Sequence, residues 1–121
     1  MNFSNDKPIY LQMADRLMDE IVAGGYAAES RIPSVREYAV NLGVNTNTAM
    51  KTYEELAQNG IIYNKRGLGY FVTPGANEQI RDERRHEFYE HRIPQLKRQM
   101  QMLGITVEEL TQQLCSTQNS H

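Results

Sequence analysis

Two short stretches of the sequence concentrate side chains that form hydrogen bonds with nucleic acids. The first contains Asn45, Thr46, Asn47, Thr48 and Lys51, and the second is the basic, glycine-containing run Lys65-Arg66-Gly67-Leu68-Gly69. Amides and hydroxyls bond to the edges of bases, whereas ammonium and guanidinium groups bond to bases and phosphates alike. This chemistry indicates contact with DNA.

The residues around the first stretch predict two helices joined by a tight turn. Pro33 suits a helix start, and Ser34 with Glu37 forms a capping box that satisfies free N–H groups of the first turn. Gly43 ends this helix, because glycine adopts the left-handed conformation without a steric penalty. Asn45 is a good N-cap for a second helix, which we expect to run to about residue 58. The polar stretch then occupies the N-terminal end of this helix, the end that meets base edges in helix-turn-helix proteins.

A hairpin and one more helix complete the predicted domain. β-prone runs at residues 61–64 and 70–72 flank the basic tip and predict a wing. Ahead of the helix pair, Pro8 and apolar residues at helical spacing predict a core helix from about Ile9 to Ala23. We expect Ile32 to pair with the wing as a short strand. The predicted fold is mainly α with a small β-wing, a winged helix-turn-helix.

The rest of the chain predicts a helical arm. It is strongly charged and carries an apolar stripe for which the first domain leaves no core, so we expect it to pair with the same arm of a second chain. Pro94 should kink the arm. A second capping box, Thr106-x-x-Glu109, should open its last helix. We therefore divide the chain into a DNA-binding domain, residues 1–74, and a dimerisation and effector arm, residues 75–121. The predicted dimerisation residues are Ile80, Phe88, Ile93, Leu96, Met100, Leu103, Leu110 and Leu114.

The order of the motifs resembles the GntR family of bacterial transcription regulators. Between about residues 7 and 74 the chain reads Ile-Pro-Ser-Val-Arg-Glu-Tyr-Ala, Leu-Gly-Val-Asn, Tyr-Glu-Glu-Leu, Asn-Gly-Ile-Ile and Arg-Gly-x-Gly-Tyr-Phe-Val. The short remainder is similar to the YtrA subfamily, whose members end in a small helical dimerisation arm. The resemblance implies a homodimeric repressor on an inverted repeat of double-stranded DNA, with half-sites about 10 bp apart or a multiple of that.

The resemblance also implies roles for individual residues. Arg36 matches an arginine that reaches a guanine or the phosphates beside it, and Ser34 matches a position that touches phosphate through the helix N-terminus. Arg66 and Gly67 match a wing tip that enters the minor groove. The candidate DNA-binding residues are Arg31, Ser34, Arg36, Thr46, Asn47, Thr48, Lys51, Lys65, Arg66 and Gly67.

Two positions of the second helix depart from the family pattern. Thr46 stands where family members carry arginine or proline, and Met50 stands where some carry arginine. This helix is therefore less basic than in those relatives. We expect a different or weaker half-site, not a loss of DNA binding.

Several of these charges also have ordinary structural explanations. Arg31 could pair with Glu29 or Glu37, and the Lys65-Arg66 pair could be a common hairpin tip. The charged run at residues 81–91 is expected to be a solvated, salt-bridged helix face. Its Glu87 and His91 share a face, and a metal site between chains is the alternative to a simple surface pair. We expect no metal, no cofactor and no catalytic residue.

Composition limits the class of protein and its charge. The chain has 121 residues, 40% of them hydrophobic, without a long apolar run or a signal-peptide pattern, and its single cysteine is Cys115. We therefore expect a cytoplasmic protein with no membrane partner. The formal net charge is −2, and residues 1–75 hold seven Lys or Arg against eight Asp or Glu. Since DNA-binding proteins are often strongly basic, we expect weak non-specific binding and specific binding that depends on a dimer.

The predicted function is sequence-specific regulation of transcription. The near-neutral charge keeps an alternative open, a winged-helix module that binds proteins and not DNA. An enzyme is not expected, because the sequence offers no acid–base pair, no Ser-His-Asp set and no phosphate loop. An unknown small-molecule effector stays open as a further partner, with the Pro74-Gly75 junction as the expected hinge.

Overall fold

The computed structural model describes residues 7–119, with side chains up to residue 116. Contacts divide the chain into two compact units, one ending at Asp82 and the other beginning at Glu83. The first unit contains α1 (Ile9–Val22), α2 (Val35–Leu42), α3 (Thr46–Gln58) and an antiparallel hairpin of β1 (Ile62–Lys65) and β2 (Gly69–Val72). The chain continues through α4 (Ala76–Glu87), a π-helical turn (Phe88–Arg92), α5 (Ile93–Leu103) and α6 (Val107–Asn119). The predicted winged helix-turn-helix is confirmed.

The ends of α2 and α3 form as their sequences predict. The Ser34 hydroxyl accepts a hydrogen bond from the Glu37 N–H at 3.1 Å, and the Glu37 carboxylate accepts one from the Ser34 N–H at 3.1 Å. Gly43 ends α2 with a φ of 66°, in the left-handed region. The Asn45 side chain caps α3 by accepting from the Asn47 N–H at 2.7 Å. These caps bring the two helices together across a turn of three residues.

Tyr53 lies at the centre of the first unit's core. Its side chain is fully buried, and its ring centroid is 5.8 Å from that of Tyr38 on α2 and 5.0 Å from that of Tyr70 on β2. Its hydroxyl donates to the Pro33 carbonyl oxygen at 2.5 Å. One side chain of α3 thus holds the start of α2 and the wing in place. The buried residues of α1 are Met13, Ala14, Leu17 and Ile21.

The connector before α2 joins the wing. Arg31 forms an isolated antiparallel bridge with Phe71, and the Ile32 N–H donates to the Tyr70 carbonyl oxygen at 3.0 Å. The pairing predicted for Ile32 therefore forms, although the bridge itself is at Arg31. It attaches the segment that carries Arg31 to the base of the hairpin.

The first turns of α4 dock on the core of the first unit. Ala76 and Ile80 are each 1% exposed, and the Asn77 amide donates to the Ile21 carbonyl oxygen at 3.1 Å. The expectation that this core leaves no place for the arm's apolar residues is therefore wrong for Ile80. Its side chain is covered by its own chain, because α4 begins directly after β2 and its first turns pack inward. Because the first turns of α4 are docked in this way, the Pro74-Gly75 junction is not the free hinge that the sequence predicts.

The described residues of the second unit are helical except for the turn at residues 104–106, between α5 and α6. The helical run does not end at Pro94, which lies in the first turn of α5. The π-helical turn precedes it, and prolines and π-helical turns are both sites at which helices bend. Before α6 the predicted capping box forms, with the Thr106 hydroxyl accepting from the Glu109 N–H at 3.1 Å. Within residues 7–119 no helix has the length and apolarity that a membrane crossing requires.

Candidate nucleic-acid interface

The start of α2 presents backbone donors beside an exposed guanidinium. The N–H groups of Val35 and Arg36 lie in the first turn, where a helix offers them no acceptor. The Arg36 side chain is exposed within the same first turn, between the two capping-box residues Ser34 and Glu37. Ser34 uses both its hydroxyl and its N–H in the capping box. Its predicted phosphate contact would thus come from the first-turn N–H groups that it positions.

Glu37 keeps its negative charge at this helix start. Hydrogen bonds from Ser34, first from the backbone N–H and then from the side chain, lower the pKa of Glu37 below its ordinary value, and the positive charge of Arg31 lowers it further. A charged carboxylate favours the N-terminus of a helix, because the helix dipole is positive there. The capping box therefore orders the first turn of α2 at neutral pH.

The N-terminal half of α3 exposes the predicted polar set. Thr46, Asn47 and Lys51 are exposed and Thr48 is half-buried. Lys51 is the one cationic residue within α3, and Glu54 follows Asn47 two turns later on the same side of the helix. The surface that α3 offers is thus polar and close to neutral, with amide and hydroxyl groups at its N-terminal end.

Sequence reasoning missed Thr52, which fixes the other side of α3. This residue is fully buried, and its hydroxyl donates to the Tyr10 carbonyl oxygen of α1 at 2.9 Å. It also lies 3.2 Å from the Thr48 carbonyl oxygen. Its spacing of three residues from the buried Ala49 was the available signal. A polar residue in an inward position needs such a partner when it is buried.

The wing separates its two cations. The Lys65 ammonium lies 4.8 Å from the centroid of the Phe71 ring, on the side of the hairpin. Arg66 and Gly67 occupy the exposed turn, and Gly67 has a φ of 80° that suits glycine. Arg66 is therefore the cation at the tip, whereas Lys65 is drawn toward an aromatic face.

The Arg31 guanidinium lies beside the first residue of β2, next to the tip turn of the wing. A Cβ atom placed on Gly69 would be 3.2 Å from the Arg31 Nε, and Gly69 itself has a φ of 106°. Glycine suits this position because of its positive φ, and a Cβ atom there would also crowd the Arg31 guanidinium. The structure brings Arg31 next to the hairpin, while Arg36 stays on α2.

The predicted dimerisation residues differ in how far the chain covers them. Phe88, Leu103 and Leu114 are exposed, with Leu103 reaching 73%. The half-buried residues are Ile93, Leu96, Met100 and Leu110. Ile80 belongs to the core of the first unit, as described above. The arm thus keeps apolar surface uncovered within a single chain.

The histidines of the arm pair with glutamates on the helix surface. His91 Nδ1 lies 3.0 Å from a Glu87 carboxylate oxygen, and His86 Nε2 lies 3.8 Å from a Glu90 carboxylate oxygen. All four side chains are exposed. Within the described part of the chain, no three His, Cys, Asp or Glu residues are arranged to hold a metal ion.

Comparison with known proteins gives a consistent set of relatives. The profile of the family described as "Bacterial regulatory proteins, gntR family" matches residues 9–72. The uncharacterized HTH-type transcriptional regulator YhcF of Bacillus subtilis is 37% identical over 108 residues, which cover 89% of this chain and 88% of YhcF. The HTH-type transcriptional repressor YtrA of the same organism is 30% identical over 103 residues, covering 85% of this chain and 78% of YtrA.

Solved structures agree with the sequence relatives. The crystal structure of a putative GntR-family regulator from Bacteroides thetaiotaomicron is 44% identical, with a TM-score of 0.76, and the match covers 93% of this chain and all of that one. The DNA-binding domain of AraR, solved in complex with operator ORX1, is 26% identical with a TM-score of 0.55, and the match covers 60% of this chain and 93% of that domain.

Proposed function

Because this chain belongs to the GntR family of bacterial regulatory proteins, we propose that it is a homodimeric repressor that binds an inverted-repeat operator in double-stranded DNA. Its cellular place is then the cytoplasm, where bacterial DNA is found. The strongest support is the joining of three elements in one compact unit. The start of α2, the N-terminal half of α3 and the wing are held together through Tyr53.

The contacts assigned to each element follow from its chemistry. Arg36 is proposed to read a guanine, since a guanidinium pairs with two acceptors of that base. Asn47 and Thr48 are assigned to base edges in the major groove, and Arg66 to the minor groove beside the wing. The first-turn N–H groups of α2 and the Lys51 ammonium are assigned to phosphates. The AraR domain is solved on its operator, which supports DNA binding by the first unit of this chain.

The test of DNA recognition is selection of bound sequences from a random duplex pool, followed by titration of the selected duplex. Arg36→Ala should weaken binding by about 5- to 150-fold per half-site, the range for losing one paired contact to a base. Arg16→Ala is the matched control, because Arg16 lies on α1 and pairs with Glu20 at 3.5 Å. An enriched inverted repeat that Arg36→Ala loses and Arg16→Ala keeps would support the proposal. Enrichment of no motif would favour the protein-interaction module.

The dimer is assigned to the uncovered apolar surface of the arm. Leu103 and Phe88 are exposed large side chains on a segment in which none of residues 83–116 is buried. Leu103→Asp should shift sedimentation equilibrium toward the monomer and weaken binding to the two-half-site operator. Gln99→Asp, which adds the same charge at an exposed position of α5, should leave the mass unchanged. A monomeric wild type that binds both half-sites tightly would contradict the dimer.

Repression is assigned by the relation to YtrA, which is named a repressor. A bound dimer over a promoter excludes polymerase without any catalytic step. In vitro transcription from a template with the selected operator at the start site should fall as the protein is added. Arg36→Ala should leave the transcript level unchanged.

We assign the binding site of a small-molecule effector to the surface beside the start of α4. The first unit has a surface hollow of about 300 Å³ there, lined by Tyr26, Val72 and Asn77 among others. Its wall includes the first turn of α4, so a ligand would act on the start of the arm. A metabolite library screened by thermal shift tests this, with Ala27→Leu as the variant that fills the hollow. A ligand that stabilises the wild type and Ala27→Leu equally would bind elsewhere.

A further inference from the structure

Helix α3 carries a large apolar side chain, Met50, that its own fold leaves partly exposed. Met50 is 39% exposed, whereas Tyr53 and Leu56 on the same helix are buried to within 1%. Met50 follows the polar residues Thr46 and Asn47 by one turn. Its thioether thus lies in the half of α3 that is assigned to base contacts.

The position of Met50 around the helix axis turns it toward the DNA-facing side. At about 100° per residue, Met50 lies roughly midway between Asn47 and Tyr53, about 60° from each. Tyr53 faces the start of α2 and the wing, since its hydroxyl donates a hydrogen bond to the Pro33 carbonyl oxygen and its ring contacts that of Tyr70. The opposite flank of α3 is the one tied to α1 through Thr52. Met50 therefore lies on the flank shared with the other two contact elements.

We propose that Met50 recognises the C5 methyl group of a thymine, next to an adenine contacted by Asn47. This assignment rests on the proposed function as a DNA reader. The thymine methyl is the apolar group that base pairs present in the major groove, and an asparagine amide pairs with the two polar atoms of adenine. A methionine is flexible and polarizable, so it adapts to such a small apolar target.

The charges of α3 agree with recognition of A·T pairs. Its single cation, Lys51, is assigned to a phosphate, and its ammonium lacks the rigid planar fork of arginine. Guanine contact is then left to Arg36 on α2, outside this helix. The specificity of α3 would come from one amide and one apolar contact.

Deoxyuridine substitution tests the proposal directly. In the selected operator each thymine is replaced in turn by deoxyuridine, which removes the methyl group and keeps every hydrogen-bonding atom. One replacement per half-site should weaken binding of the full-length wild type by about threefold to fivefold, as expected for uncovering one methyl-sized group. Met50→Ala should bind the thymine and deoxyuridine operators equally.

Two further variants separate the apolar contact from a general effect on the helix. Met50→Leu should keep the difference between thymine and deoxyuridine, and Met50→Gln, similar in length and polar, should lose it. Gln58→Ala, at the exposed C-terminal end of α3, should behave as the wild type. Thermal melting checks that each variant is folded.

The outcomes distinguish this inference from the proposed function. Wild type that binds its operator selectively but responds to no deoxyuridine replacement overturns the role of Met50 alone. A replacement that weakens the wild type and Met50→Ala to the same extent does so as well. Absence of any selective binding overturns the proposed function, and the role of Met50 falls with it.

Discussion

Removal of the Tyr53 hydroxyl should destabilise the fold by weakening the attachment of α3 to the start of α2. Tyr53→Phe keeps the buried ring and its contacts with Tyr38 and Tyr70, but it leaves the Pro33 carbonyl oxygen without the donor now 2.5 Å away. A carbonyl that loses its partner in a largely buried position costs about 1–3 kcal/mol. Urea unfolding should therefore show a lower midpoint with an unchanged slope.

A matched variant isolates the hydrogen bond. Tyr63 on β1 is half-buried and stacks on Phe71, with ring centroids 5.9 Å apart. Tyr63→Phe removes a hydroxyl that is not placed in the core, and it should change the free energy of unfolding by no more than about 0.5 kcal/mol. If Tyr53→Phe falls within that same range, the reasoning that Tyr53 holds the start of α2 is refuted.

The same residue predicts how stability changes at high pH. Burial raises the pKa of Tyr53 and of Tyr38 above the ordinary value in the folded chain. Below about pH 10 both states keep the proton, so this contribution to stability is fully present. At higher pH the unfolded chain loses its tyrosine protons first, and stability falls by about 1.4 kcal/mol per pH unit for each such tyrosine. Tyr53→Phe should show a shallower alkaline loss than the wild type.

Three further predictions concern the cap of α2, the core position of Ile80 and Gly69 of the wing. Ser34→Ala should lower the free energy of unfolding by about 1 kcal/mol. Because hydrogen bonds from Ser34 lower the pKa of Glu37, the loss of stability as pH falls through that pKa should be smaller in this variant. Thermal melts from pH 3 to 7 measure both effects, and equal acid profiles of variant and wild type would contradict the role of Ser34 in the pKa of Glu37. Ile80→Ala should lower the free energy of unfolding in urea by about 2–5 kcal/mol at every protein concentration. A destabilisation that appears only at dimer-forming concentrations would instead indicate that Ile80 lies in the dimer interface. Gly69→Ala should have a lower melting temperature than Gly24→Ala. Both glycines have a positive φ, but only a Cβ atom on Gly69 would meet a side chain, with the Arg31 Nε at 3.2 Å. Equal melting temperatures would mean that the Arg31 guanidinium moves aside freely.

Local signals in the sequence were sufficient for the helix-turn-helix and the wing. The capping boxes at Ser34 and Thr106 and the left-handed Gly43 act within one turn of the chain, so their residue types predict them directly. The Asn45 cap and the hairpin tip follow the same rule. Family resemblance then supplied the roles of the exposed residues, which helical spacing alone does not assign.

Contacts between distant parts of the chain were not predictable in the same way. The hydrogen bond from Thr52 to α1 joins residues 42 positions apart, and a lone inward threonine does not specify its acceptor. The docking of Ile80 depends on where α4 leaves the hairpin, and its apolar spacing looked identical to that of an exposed stripe. The π-helical turn before Pro94 is one of several ways in which a helix accommodates a proline.

The docking of α4 also changes how a signal would travel between the arm and the DNA. Besides the bond from Asn77 to the end of α1, the Gln79 amide donates to the carbonyl oxygen of Asn59, the C-cap of α3, at 2.9 Å. The start of α4 is thereby attached to the ends of α1, which contributes to the core, and of α3, which carries the residues proposed to contact bases. A displacement of this turn would strain both attachments. These two hydrogen bonds and the buried Ile80 side chain hold the segment that follows Pro74-Gly75, so that junction is not a free hinge.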